Sequence, residues 1–217
     1  YSGLNDALFA LGRIDSSIHY VEAAKQIAPD NAGVRVQLGF LYLQGGARAT
    51  ARAQLDSALM LDPNHPQAHK LFGLWLTQAQ QIDSAIVVYQ HVVELQPDDV
   101  EAHNNVAFLL AGKARYAEAL EWYKKTKLLS SDPQLLHAVN LNMEGIRAIM
   151  AGKMRARYIL VETQASCEQV AAKAAAGEDF GELAAQFSIA PNAAEGGDLG
   201  FFGPGDMVTA VEEAVLD

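Results

Sequence analysis

The sequence predicts an all-α solenoid of paired helices followed by a smaller α+β domain. Three observations carry this. A 34-residue internal period runs through the first two-thirds of the 217-residue chain. At "RYILVET" (157–163) the pattern changes abruptly to β-branched and apolar residues. A glycine-rich run, "GGDLGFFGPGDM" (196–207), then sets two adjacent phenylalanines among glycines and a proline.

Composition bounds the classes open to such a chain. Half the residues are hydrophobic and 19% are charged, the balance of a folded globular protein. A net charge of −10 argues against nucleic-acid binding, which needs clustered Lys and Arg. Cys167 is the only cysteine, so neither an intrachain disulfide nor a Cys-based metal site can form. No apolar run reaches the length of a membrane span.

The period is read residue by residue. Pro29, Pro63 and Pro97 lie 34 apart, as do Ala51, Ala85 and Ala119. Gly39 and Gly73 share a phase with Ala107, preceded by Leu38, Phe72 and Val106 and followed by Tyr42, Leu76 and Leu110. Leu55, Tyr89 and Tyr123 form another set. Each unit reads as two amphipathic helices, for example 33–45 and 49–61, with small residues where the helices approach closely and larger ones between them. The proline after each second helix stops it at the turn.

This pattern resembles the tetratricopeptide repeat (TPR) family. Residues 1–131 hold about three and a half to four units: full ones at 32–65, 66–99 and 100–131, and a partial one at 1–31. The family's consensus Trp is absent; Arg35, His69 and His103 stand in that phase. The resemblance implies a superhelix whose inner surface is built by the first helix of each pair. On that face Phe40, Leu74 and Phe108 recur in phase, with Gln44 and Gln78 one turn further on and Lys70 and Asn104 nearby. These residues either line a groove for an extended polypeptide, with an apolar floor and an amide-bearing rim, or pack between repeats. Only Lys70 is available for the family's basic clamp on C-terminal carboxylates, which argues against an adaptor for chaperone tails.

The six histidines are His19, His65, His69, His91, His103 and His137. Only His65 and His69 share a helix face, and nothing completes a metal site around them. They read as surface or packing residues. A helix over about 134–151 follows, within a capping and linking segment at 132–153.

From 154 to 217 the order is strand (157–163), helix (166–177, ended by Gly177), helix (179–188, capped by Asp179), loop, strand ("DLGFFG"), helix start ("MVTAVEEAVLD"). The segments "ILV", "AAGEDFGELAAQFS", "GGDLGFFGPGDM" and "VEEAV" resemble a parvulin-type peptidyl-prolyl isomerase domain, covering about the first two-thirds of that fold; the sequence stops inside a helix. The resemblance implies rotation about X-Pro amide bonds with no cofactor and no metal. The barrier, about 18–20 kcal/mol, falls when the proline ring sits in an apolar cup and the twisted amide is hydrogen-bonded. Leu199 and Met207 match positions flooring that cup, and Val211 stands where a Phe commonly walls it. Tyr158 replaces the usual histidine of the first strand, and Ala190 replaces the usual Cys or Asp. The family's phosphate-reading basic cluster is absent from "VETQASCEQ". Cys167 in that segment reads as structural or incidental, not as a nucleophile.

Two functions stay open. One is an interaction scaffold whose repeats bind a protein partner and whose isomerase domain has weak or lost activity. The other is an active foldase that recruits clients through its repeats. Duty as a subunit of a larger assembly is a third role, and the parvulin resemblance implies a place in the bacterial cell envelope.

Overall fold

The structure, a computed structural model, describes residues 14–207. Two compact units divide between Met143 and Glu144.

The first unit is built of helix pairs. Helix α1 (Ile14–Ile27) precedes α2 (Ala32–Gln44), α3 (Arg48–Leu61), α4 (Pro66–Gln78), α5 (Ile82–Leu95), α6 (Val100–Gly112) and α7 (Tyr116–Leu129). First helices of the repeats run 13 residues and second helices 14. The period reaches into the caps. Asn31, His65 and Asp99 are the N-caps of α2, α4 and α6, their side chains accepting from the backbone N–H of Val34 (3.2 Å), Ala68 (3.4 Å) and Ala102 (2.8 Å). Each first helix ends with its chain reversing through a left-handed residue: Gly46, Gln80 or Ala114, at φ 75°, 59° and 56°. The next N–H then bonds back across the turn, Ala47 to Tyr42 O (2.8 Å), Gln81 to Leu76 O (2.9 Å) and Arg115 to Leu110 O (2.9 Å), which satisfies carbonyls the helix end leaves open.

The small-residue phase marks where paired helices nearly touch. A Cβ on Gly39 would lie 2.7 Å from Leu55 Cδ2, and one on Gly73 would lie 2.8 Å from Tyr89 Cζ. Leu55, Tyr89 and Tyr123 are all buried. The residues in the consensus-Trp phase pin the proline turns instead of filling a core: Arg35 Nη2 donates to Pro29 O (3.0 Å) and His69 Nε2 to Pro63 O (2.8 Å). His103 departs, buried beside Trp122 with Nδ1 donating to Asp99 O at 2.9 Å.

Helix α8 (Pro133–Met150) begins in the first unit and ends in the second, with Val139, Met143 and Ile146 buried. The second unit continues through β1 (Met154–Arg157), α9 (Gln164–Ala175), α10 (Phe180–Phe187), a short 3-10 turn (Ala193–Glu195) and β2 (Asp198–Phe202). Here the first strand departs from the sequence reading. It is Met154–Arg157, antiparallel to β2 with Met154 opposite Phe202 and Arg157 opposite Asp198. The β-branched run expected as the strand lies beyond it, because β2 has no ladder partner to offer past Asp198: Gly197 and Gly196 turn away at φ 73° and 72°. Isolated bonds continue there: Tyr158 N–H to Gly197 O (3.0 Å), Leu160 N–H to Ser188 Oγ (3.1 Å) and Ile189 N–H to Leu160 O (2.8 Å). The two helices form as read, with Asp179 capping α10 through Glu182 N–H (2.9 Å) and Gly177 left-handed (φ 91°) just past α9. The helix expected after Met207 lies outside the described residues.

The close approach in the repeats is testable. Gly73→Val forces two methyls against the Tyr89 ring and is expected to cost about 1–3 kcal/mol. Urea unfolding followed by circular dichroism measures it; an unchanged midpoint would contradict the packing.

Candidate functional site

In the first unit, α4, α5 and α6 enclose a hollow of about 240 Å³. Leu71, Leu74 and Phe108 provide its apolar surface, Tyr89 its wall, and Lys70 and Glu101 its polar edge. Phe108 is 60% exposed. Lys70 is bound by two carboxylates, Asp99 at 3.0 Å and Glu101 at 2.9 Å. Burial draws the Lys70 pKa down, but hydrogen bonds to those carboxylates leave it raised overall. Tyr89 is pushed up to about 12, first by burial and then by the Glu101 charge.

Three groove residues read from the sequence therefore meet here: Lys70, Leu74 and Phe108. Asn104 lines a neighbouring hollow between α6 and the start of α8. Phe40 packs against the core of the α2–α3 pair, Gln44 is exposed at the end of α2, and Gln78 is half-buried at the end of α4. Glu101 and Tyr89 were not singled out as site residues. Glu101 repeats the phase of Gln67, another residue of the hollow, so extending the 34-residue comparison by one position would have found it. Tyr89 reads from the period as a packing residue, and in the structure the one ring both covers Gly73 and walls the hollow.

In the second unit the glycine-rich run meets the segment after β1. Gly197 is required twice over: its φ is 73°, and a Cβ there would lie 2.1 Å from the Tyr158 carbonyl oxygen. This contact holds Tyr158 beside the start of β2. Asn192 closes the loop, donating through Nδ2 to Asp198 O (2.7 Å) while its own carbonyl accepts Gly197 N–H (3.0 Å). Ala190 is buried at 5% exposure, its N–H donating to Ser188 Oγ at 3.2 Å. Leu199 and Met207 are half-buried, Phe202 is buried, and Val211 lies outside the described residues. Asp198 accepts from Arg155 Nε (3.1 Å) and from Gly200 N–H (2.9 Å), and these bonds hold its carboxyl at about 2. Arg155 precedes the β-branched run, so nothing local in the sequence signals its pairing with Asp198. Among the described residues, no group of three or more His, Cys, Asp or Glu could hold a metal ion, and no helix is long and apolar enough to cross a membrane.

Comparison with known proteins assigns both regions. A tetratricopeptide repeat model matches residues 8–72, and a PPIC-type PPIase (peptidyl-prolyl isomerase) domain model matches residues 140–217. The chain thus joins TPR repeats to a PPIC-type PPIase domain. Over 66 residues it is 48% identical to "Foldase protein PrsA" of Halalkalibacterium halodurans, covering 30% of this chain and 20% of the relative. Over 63 residues it is 51% identical to the same-named protein of Geobacillus kaustophilus, covering 29% and 22%. The chain spans about a fifth of the length of these relatives. The helical fold is similar to a crystal structure of MamA, with TM-score 0.55 and 22% identity over 65% of this chain and 83% of that one.

The Arg155–Asp198 pair gives a pH prediction. Asp198 is depressed below its ordinary 3.8, so its contribution to stability is present above that value and is lost as pH falls through about 2. Asp198→Asn should lower the melting temperature at neutral pH, and the difference from the parent should close on acidification to that range. A difference that persists unchanged in acid would show that the ion pair is not its source.

Proposed function

We propose that the chain is a polypeptide-binding protein of the foldase kind, whose repeats hold a protein segment and whose PPIC-type domain acts weakly on X-Pro bonds. Ala190 carries this reading. Where the parvulin pattern has a Cys or Asp, a buried methyl stands, and it offers the twisted amide no hydrogen bond. Tyr158 in place of histidine adds to the loss, since its hydroxyl makes no hydrogen bond among the described residues that would aim it. What remains is the apolar part of the site, Leu199 and Met207, beside a glycine turn whose backbone is held by Asn192 and Asp198. Such a site binds proline while stabilising the rotated state poorly, so binding outlasts turnover.

A second reading, an active foldase, is favoured by the near-half identity of this region to proteins named as foldases. A place in the bacterial cell envelope goes with either reading through the parvulin resemblance, and cell fractionation tests it.

Exchange NMR on a short Ala-Pro peptide separates the two. Under the first reading the chain shifts the peptide resonances with little catalysed cis–trans exchange. Ala190→Cys combined with Tyr158→His then raises exchange about tenfold, the equivalent of one well-placed hydrogen bond. Brisk exchange that the two substitutions leave unchanged would establish the foldase and overturn the weakened site.

A further inference from the structure

We infer that the inner face of α4 and α6 selects an extended segment carrying an apolar side chain followed by a basic one. This deepens the capture reading above by naming the chemistry of what is captured. The argument starts from Lys70, the cation that would otherwise point to an acidic ligand. It already serves two carboxylates, Asp99 and Glu101, and its side chain is only 16% exposed. An incoming carboxylate would have to displace one of them.

The hollow beside it is lined mainly by apolar side chains, with Gln67, Thr77 and Asn105 as its uncharged polar residues. Leu71, Leu74 and the exposed Phe108 ring leave a place for one apolar side chain. A second hollow, of about 470 Å³, shares Glu101 with the first. Its polar residues are Glu101, Asn104, Ser130, Ser131 and Asp132, and no Lys or Arg lines it. The Glu101 side chain is 65% exposed, with one oxygen on Lys70; its second oxygen makes no hydrogen bond among the described residues. Asp132 accepts from Gln134 N–H at 2.9 Å and forms no ion pair among the described residues. Two carboxylates, Glu101 and Asp132, line the hollows against the one ammonium of Lys70, and that ammonium is already shared with Asp99 behind them.

Charge complementarity therefore selects a cation for the second hollow and an uncharged apolar group for the first. Because the hollows share a wall, side chains at positions i and i+2 of an extended segment, about 7 Å apart on one side of the backbone, reach both. Phe108 and Glu101 are then the anchors. Lys70 positions Glu101 and does not face the ligand's charge.

The test is fluorescence anisotropy on the whole chain with two labelled peptides, blocked at both ends, that differ at one residue. One carries Lys and the other Glu, two positions after a Leu. The Lys peptide should bind about tenfold tighter at low salt, with the gap closing at high salt. Glu101→Gln with Asp132→Asn should erase the preference, and Phe108→Ala should weaken both peptides by about tenfold. Equal binding of the two peptides, or tighter binding of the Glu peptide, overturns this inference and leaves capture standing. Binding of neither overturns both.

Discussion

The repeated near-contact between paired helices fixes the first unit. At Gly39 and Gly73 a first helix comes so close to its partner that a Cβ would collide with Leu55 or Tyr89. The buried pair Ala107 and Tyr123 occupies the same phase one repeat later. Close approach sets the spacing of each pair, and the left-handed turns at Gly46, Gln80 and Ala114 set its reversal. Gln80 and Ala114 adopt there a conformation costly to non-glycine residues, about 1 kcal/mol each. The repeat geometry outweighs that local preference. The hollow inherits this constraint through Tyr89, whose ring covers Gly73 and also walls the hollow with Leu74 and Phe108.

The second unit rests on an even tighter approach, backbone against backbone. Gly197 lies under the Tyr158 carbonyl, and the bond from Tyr158 N–H to Gly197 O locks the two segments together. Asn192 and the Arg155–Asp198 pair hold the same turn from the loop and from β1. The turn beside Tyr158 is therefore held by backbone and side-chain bonds together. The bonds that hold it come from backbone groups and from Asn192, Asp198 and Arg155, not from the Tyr158 side chain. Under the proposed function, this is how binding outlasts catalysis in the domain.

Much of this was legible in the sequence, because the repeats write their physics into single residues. Proline stops, capping residues and small-residue contacts each recur at one phase. The first strand was not legible. "MRAR" carries two exposed arginines and little β-propensity, whereas Ile159 to Val161 have the propensity but no ladder partner once β2 reaches its two left-handed glycines. Pairing, a long-range property, decided between them. The groove was half legible for a related reason: the period locates the inner face, but which inner residues surround a hollow depends on Glu101 and Tyr89 converging from neighbouring helices. The conversion of Lys70 from clamp to internal ion pair likewise depends on residues 29 and 31 positions away.

Under the proposed function, repeats that hold polypeptide and a weak isomerase work together if capture compensates for turnover. Holding a client raises the effective concentration of its X-Pro bonds at the second domain without any new catalytic contact. The direct measurement compares kcat/KM for isomerisation on a proline-limited unfolded protein with that on a short Ala-Pro peptide, using the same chain. The account predicts a preference for the unfolded protein of about tenfold or more. Equal values for the two substrates would contradict it, since the repeats would then contribute nothing to the reaction.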